Sequence, residues 1–167
     1  MAGPLIVTAE LAPEDFSWLE ALRRHHFPPE RNQLSAHLTM FHSLPPSAEG
    51  EIRQALKSLS KDPAPRAFVS SVMNLGGGVA FRIASEKLDR MRGYIADHFH
   101  GLLTAQDAAG WSAHVTIQNK VAPRVARELI DALGTTYDRR PVRISGLGLH
   151  RYLGGPWERL QVYPFRG

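Results

Sequence analysis

Residues 37–41, HLTMF, and residues 114–118, HVTIQ, carry one pattern twice: histidine, apolar residue, threonine, apolar residue. In a β-strand, successive side chains point to opposite faces. His37, Thr39 and Phe41 are therefore expected on one face and Leu38 and Met40 on the other. Likewise His114, Thr116 and Gln118 share a face, with Val115 and Ile117 opposite. Each stretch offers an imidazole beside a hydroxyl on a stiff element. With 8 His in the chain, chance yields roughly 0.3 such triplets, so a pair at matching places is the signal.

Working outward, the surroundings of the two motifs repeat as well. An apolar strand is expected over Leu5–Ala9, then a helix from about Pro13 to His25 with Phe16, Leu19 and Leu22 at helical spacing. The first motif strand follows, then a helix near Ala48–Leu59 with Ile52, Leu56 and Leu59 on one face, and a closing strand Ala67–Leu75. The glycines 76–78 read as a hairpin turn. The second half runs in the same order. It has a strand Val79–Ala84, a helix capped by Ser85 and reaching about Phe99 with Leu88, Met91 and Ile95 inward, a Gly/Ala-rich loop to Trp111, and the second motif strand. A helix from Pro123 to Leu133, stopped by Gly134, and a strand Pro141–Leu149 complete it, with a further strand at Glu158–Tyr163. The fold class implied is α+β, a bilobal pseudo-two-fold repeat. Each lobe is a small, mostly antiparallel sheet with helices on its outer face, and an active-site cleft lies between the lobes. A chain of 167 residues fits a single domain, 1–167, with lobes near 1–75 and 78–150 and an extension 151–167.

Composition narrows the chemistry. There is no cysteine, hence no thiolate nucleophile, disulfide or cysteine-held metal. Two histidines without a carboxylate in either motif make a poor metal ligand set. A net charge of +4 permits an anionic substrate but is far from that of a nucleic-acid-coating protein. No apolar run reaches the roughly 18 residues of a membrane span, and the N-terminus lacks a basic flank with a long apolar stretch, so a cytoplasmic protein is expected.

Two facing imidazoles can divide general acid and general base work, because an unperturbed pKa near 6.5 lets one be neutral and one protonated. Phosphodiester cleavage needs that division. Hydroxyls from Thr39 and Thr116 can donate to the non-bridging phosphate oxygens, where charge gathers. The catalytic candidates are thus His37 and His114, the phosphate-binding candidates Thr39 and Thr116. Weaker substrate contacts are Phe41, which could stack a base, Gln118 as a hydrogen-bonding group, and Lys120, which falls on the site face if the strand runs on. His42 alternates to the other face. His25, His26, His98, His100 and His150 have no partner spacing and read as surface or helix-end residues.

HLTM and HVTI, 77 positions apart and set in PPERNQLSAHLTMFHSLP and WSAHVTIQNKV, resemble the two-histidine phosphoesterase superfamily, in particular its 2′-5′ RNA ligase-like branch. The resemblance covers most of the chain. It implies His37, Thr39, His114 and Thr116 around one phosphate in a central cleft. It also implies metal-free and cofactor-free chemistry on 2′,3′-cyclic phosphates, 2′-5′ linkages or small cyclic nucleotides, with reversible ATP-independent ligation beside hydrolysis. Some RNA-acting members carry an arginine shortly after the second motif; Asn119 and Lys120 stand there in this chain. The expected partner is an RNA end or small nucleotide bearing a cyclic phosphate, with no membrane and a monomeric protein. The competing reading is a module that binds phosphorylated RNA ends without turnover, which would show salt-dependent affinity and no product.

Overall fold

The computed structural model describes residues 2–166. In chain order it contains β1 (Leu5–Leu11), α1 (Pro13–His26), β2 (Leu38–Leu44), α2 (Glu49–Leu59), β3 (Phe68–Asn74) and β4 (Val79–Ala84). There follow α3 (Glu86–His98), the single-turn α4 (Ala105–Ala108), β5 (His114–Gln118), α5 (Pro123–Leu133), β6 (Ile144–Tyr152) and β7 (Trp157–Pro164). Local signals account for the element ends. Pro13 and Pro123 open α1 and α5, where a missing N–H costs nothing. The Ser85 hydroxyl accepts from the Leu88 N–H at the start of α3. The short α4, not expected, interrupts the Gly/Ala-rich loop and is capped by Thr104.

The strands form two antiparallel sheets, ordered β2-β1-β6-β7 and β3-β4-β5. The repeat is visible in this topology: β2-β1-β6 matches β5-β4-β3. The sheets do not, however, follow the halves of the sequence. Each half gives its first two strands to its own sheet and sends its closing strand into the other. The lobes expected at 1–75 and 78–150 are therefore units of the repeat and not of the packing. The crossing segments pair where they pass, through Val69 N–H to the Arg140 oxygen and Val142 N–H to the Ala67 oxygen. An exchange of this kind holds the lobes together through backbone hydrogen bonds, so neither sheet can form from one half alone.

One apolar core runs through both sheets. It includes Leu5, Val7, Leu38, Met40 and Phe41 from the first sheet, Val69, Phe81, Val115 and Ile117 from the second, and Ile52, Leu56, Leu88, Met91, Ile95 and Leu129 from the helices. Complete burial of each large side chain contributes about 1.5–3 kcal/mol. The stripes of α2 and α3 include the expected Ile52, Leu56, Leu88, Met91 and Ile95, with Leu59 only partly covered and Arg92 buried as well. In α1 the buried stripe is Asp15, Leu19 and Arg23, and Phe16 and Leu22 are only partly covered. The β3–β4 hairpin closes through Leu75 N–H to the Gly78 oxygen. A Cβ on Gly78 would collide with the Gln118 carbonyl, which is why this corner tolerates no side chain.

Candidate active site

The two motif strands, β2 and β5, are each the edge strand of a sheet, and they lie against each other across the lobes. His37 sits one residue before β2 and His114 is the first residue of β5. Their rings are held in the same way. His37 Nδ1 lies 2.7 Å from the Ser35 oxygen and His114 Nδ1 lies 2.9 Å from the Ser112 oxygen. A carbonyl only accepts, so Nδ1 carries the proton in both rings and Nε2 is left as the reactive nitrogen. Both histidines thus use the carbonyl two residues upstream to fix their tautomer.

His37 has its pKa lowered from the usual 6.5 to about 4. Burial is the chief cause. The hydrogen bond to Ser35 opposes it, and the positive charges of Arg23, His114 and His42 add to the lowering. His37 is consequently neutral at physiological pH, and His114 stands within electrostatic reach of it. Thr39 is buried to 9% exposure, while Thr116 is partly open. Among the described residues neither hydroxyl has a protein partner, and neither oxygen is sealed from solvent. Both remain free to donate to a ligand.

Both motif strands carry a β-bulge at the same place. Thr8 pairs with Thr39 and Val7 with Phe41; Ala80 pairs with Thr116 and Val79 with Gln118. In each case two residues of the motif strand oppose one step of its neighbour, so the alternation of faces fails just after the threonine. Two expectations are corrected by this. Phe41 does not join His37 and Thr39 at the cleft; it is fully buried, with the Arg92 guanidinium 4.1 Å from its ring centroid. Gln118 is buried to 3% exposure with its Oε1 unpaired and sealed from solvent, so that oxygen is not offered to a substrate. Lys120 is also corrected. The strand ends at Gln118, and Lys120 is an exposed residue at φ 60°, outside the face of His114 and Thr116.

Two buried arginines, which the sequence reading passed over, brace the motif strands. Arg23 of α1 donates from Nη1 to the Thr116 oxygen (2.9 Å) and from Nε to Asn32 Oδ1 (2.9 Å), with its guanidinium 4.3 Å from the Phe27 ring. Arg92 of α3 donates from Nε to the Met40 oxygen (3.1 Å) and from Nη2 to the Asp107 oxygen (2.7 Å). Each half thereby clamps the other half's motif strand. The signal available in the sequence was the i, i+4, i+8 run Asp15–Leu19–Arg23, whose charged ends disguise a buried stripe. Around β2, Trp111 Nε1 donates to the Thr39 oxygen at 3.2 Å. Asp107 receives the backbone N–H groups of His42 and Ser43, each at 2.9 Å.

A cavity of about 660 Å³ opens beside His37, bounded by β1, β6, β7 and the loop at 33–36. His37 is part of its wall, and His114 and the two motif threonines are not. A larger space of about 800 Å³, at the strand crossover, touches neither motif. Among the described residues no three His, Cys, Asp or Glu side chains are grouped to hold a metal ion. No helix there is long and apolar enough to cross a membrane.

Two antiparallel sheets with crossed closing strands, meeting at a pair of imidazole–hydroxyl motifs, define the protein class. The sequence matches the 2′-5′ RNA ligase superfamily over residues 10–156, and the chain belongs to that superfamily. Membership supports an enzyme activity of the phosphoesterase or RNA-ligase type. Comparison with curated protein sequences gives no match. Solved structures share the fold. TT0787 of Thermus thermophilus is 16% identical, with 98% of each chain covered and a TM-score of 0.66. E. coli LigT complexed with 3′-AMP is 11% identical, with complete coverage of both chains and a TM-score of 0.63. E. coli LigT complexed with phosphate is 14% identical, with 99% of each chain covered and a TM-score of 0.59.

Proposed function

We propose that the protein opens a cyclic phosphodiester, an RNA 2′,3′-cyclic phosphate, to the 2′-phosphate by paired histidine catalysis. The observation that carries this is the matched tethering of the two rings, each with Nδ1–H given to a carbonyl and Nε2 left for chemistry. Being neutral, His37 is suited to act as the base. Its Nε2 takes a proton from water as the water oxygen bonds to phosphorus. The P–O3′ bond breaks, and His114 gives a proton to the departing O3′. The hydroxyls of Thr39 and Thr116 donate to the non-bridging oxygens as negative charge builds there.

An RNA 5′-hydroxyl can replace water as the nucleophile while the same P–O3′ bond breaks. The product is then a 2′-5′ linkage, formed without ATP and reversible because the phosphodiester is conserved. Hydrolysis and ligation thus require the same two proton transfers.

The test is turnover of 2′,3′-cyclic nucleotides, cyclic-phosphate-ended RNA and 2′-5′ oligonucleotides by purified protein with chelator present. The expected result is product at a rate indifferent to chelator. His37→Ala and His114→Ala should each lose at least about a hundredfold in turnover with the fold intact. Near-normal rates in either variant would overturn the assignment.

A further inference from the structure

The space of about 800 Å³ at the strand crossover differs in kind from the cavity beside His37. Apart from Ser145, the two walls share no residue. The cavity beside His37 carries a linked polar set. Thr8 Oγ1 donates to Glu10 Oε2 at 2.6 Å and lies 2.9 Å from His150 Nε2, while Glu10 Oε1 pairs with Arg159 Nη2 at 2.8 Å. His150, 7% exposed, is thus a wall residue and not the surface residue suggested by the sequence. The crossover space is apolar instead, walled by Pro65, Ala67, Phe68, Val142 and Ile144, with Phe165 beside them. Phe68 is left 45% exposed there, a large aromatic side chain without a full cover.

The charge on this wall has one sign. Arg66, Arg139 and Arg143 line it, all three exposed, and no aspartate or glutamate among the described residues does. Among those residues no carboxylate forms an ion pair with any of the three. Asp15 Oδ2 accepts the Arg143 N–H at 2.9 Å, but that side chain is 6% exposed and lies outside the wall. Arg139 stands at φ 68°, a conformation rare for any residue with a side chain. Its N–H donates to the Val69 oxygen at 2.7 Å and the Val69 N–H donates to the Arg140 oxygen at 2.9 Å, which pins it there. Backbone strain kept in this way collects at ligand-binding positions.

We infer that this cavity is a second binding site, for a small aromatic anion: a planar apolar ring system bearing a carboxylate or sulfonate. The volume is that of a small-molecule site. The proline and phenylalanine surfaces suit a flat ring, and arginine both pairs with a planar anion and stacks on an aromatic face. A nucleobase suits this wall poorly, because its polar edges need partners. Besides the arginines the wall supplies the Ser145 hydroxyl, which already donates to the Glu10 oxygen. The site is independent of the phosphoester reading above.

Fluorescence titration of the folded protein with 8-anilinonaphthalene-1-sulfonate tests the inference. N-phenyl-1-naphthylamine, the same ring system without the sulfonate, isolates the charge. The sulfonate probe should saturate a single site. Arg139→Gln and Arg143→Gln should each weaken it by at least about fivefold and change the uncharged probe by less than about twofold. The exposed side chain of Arg143 keeps the test informative if Arg139→Gln fails to fold. Ala64→Trp, at an exposed wall position, should weaken both probes by crowding the cavity. His37→Ala should bind the sulfonate probe as the wild type does. Binding without saturation, arginine variants that affect both probes equally or neither, or an indifferent Ala64→Trp would each overturn the site. So would loss of the probe in His37→Ala or its displacement by excess adenosine 2′-monophosphate, since either places it in the neighbouring cavity.

Discussion

Arg23 donates to the main-chain oxygen of Thr116 across the two lobes, 93 residues apart in sequence, at 2.9 Å. The bond ties α1 of the first half to the motif strand of the second, and its guanidinium also lowers the pKa of His37. One buried side chain therefore ties the two motif regions together and adds to the lowering of the His37 pKa that burial chiefly causes. Arg23→Met should cost roughly 1–3 kcal/mol in urea denaturation, because Asn32 and the Thr116 carbonyl lose a donor. It should also cost at least about tenfold in kcat/KM, since misplacement by an ångström near reacting atoms is expensive. Arg23→Lys should recover only part of both, lacking the two-point geometry. Unchanged kinetics in Arg23→Met would show that the clamp is dispensable.

The depressed pKa of His37 sets a pH signature. The acid limb of kcat/KM, which reports the free enzyme, should fall well below 6.5, towards about 4. A bound phosphate adds negative charge beside the ring and favours its protonated form, so the corresponding limb of kcat should lie higher. Parallel profiles of the two parameters, with both limbs near 6.5, would contradict this placement.

The same shift links to stability. The folded-state pKa of His37 lies below its unfolded value, so its neutral ring is favoured by the fold. Stability from this source is complete above pH 6.5 and is lost as pH falls from there towards 4. His37→Gln should therefore lose less stability than wild type between pH 6.5 and 4.5, measured by denaturant titration at each pH. Identical slopes would mean that the ring is not desolvated.

Thr39→Val and Thr116→Val should each lower kcat by about 10²–10³ if the free hydroxyls stabilise charge in the transition state. Ser at either position should restore most of the rate. A change confined to KM would assign the hydroxyls to ground-state binding.

Asp107 is 1% exposed and receives two backbone N–H groups of β2 just beyond the first motif. Asp107→Ala leaves those donors without their acceptor and should destabilise the protein by about 2 kcal/mol or more in chemical denaturation. A loss below about 0.5 kcal/mol would mean that solvent replaces the carboxylate freely.

The sequence by itself determined the repeat, the order of elements and the two imidazole–hydroxyl pairs. Periodicity, caps and spacing are local properties, and a duplicated motif in a duplicated setting stands out without coordinates. Only the tertiary structure decided which residues surround them. Strand alternation failed as a guide at Phe41 and Gln118, because a bulge is set by the neighbouring strand's register and leaves no mark in the motif itself. The exchange of closing strands, the arginine clamps on Thr116 and Met40, and the Thr8–Glu10–His150–Arg159 cluster all join residues from distant parts of the chain. Such contacts exist because the sheets pack, and nothing in the local order of residues encodes the pairing.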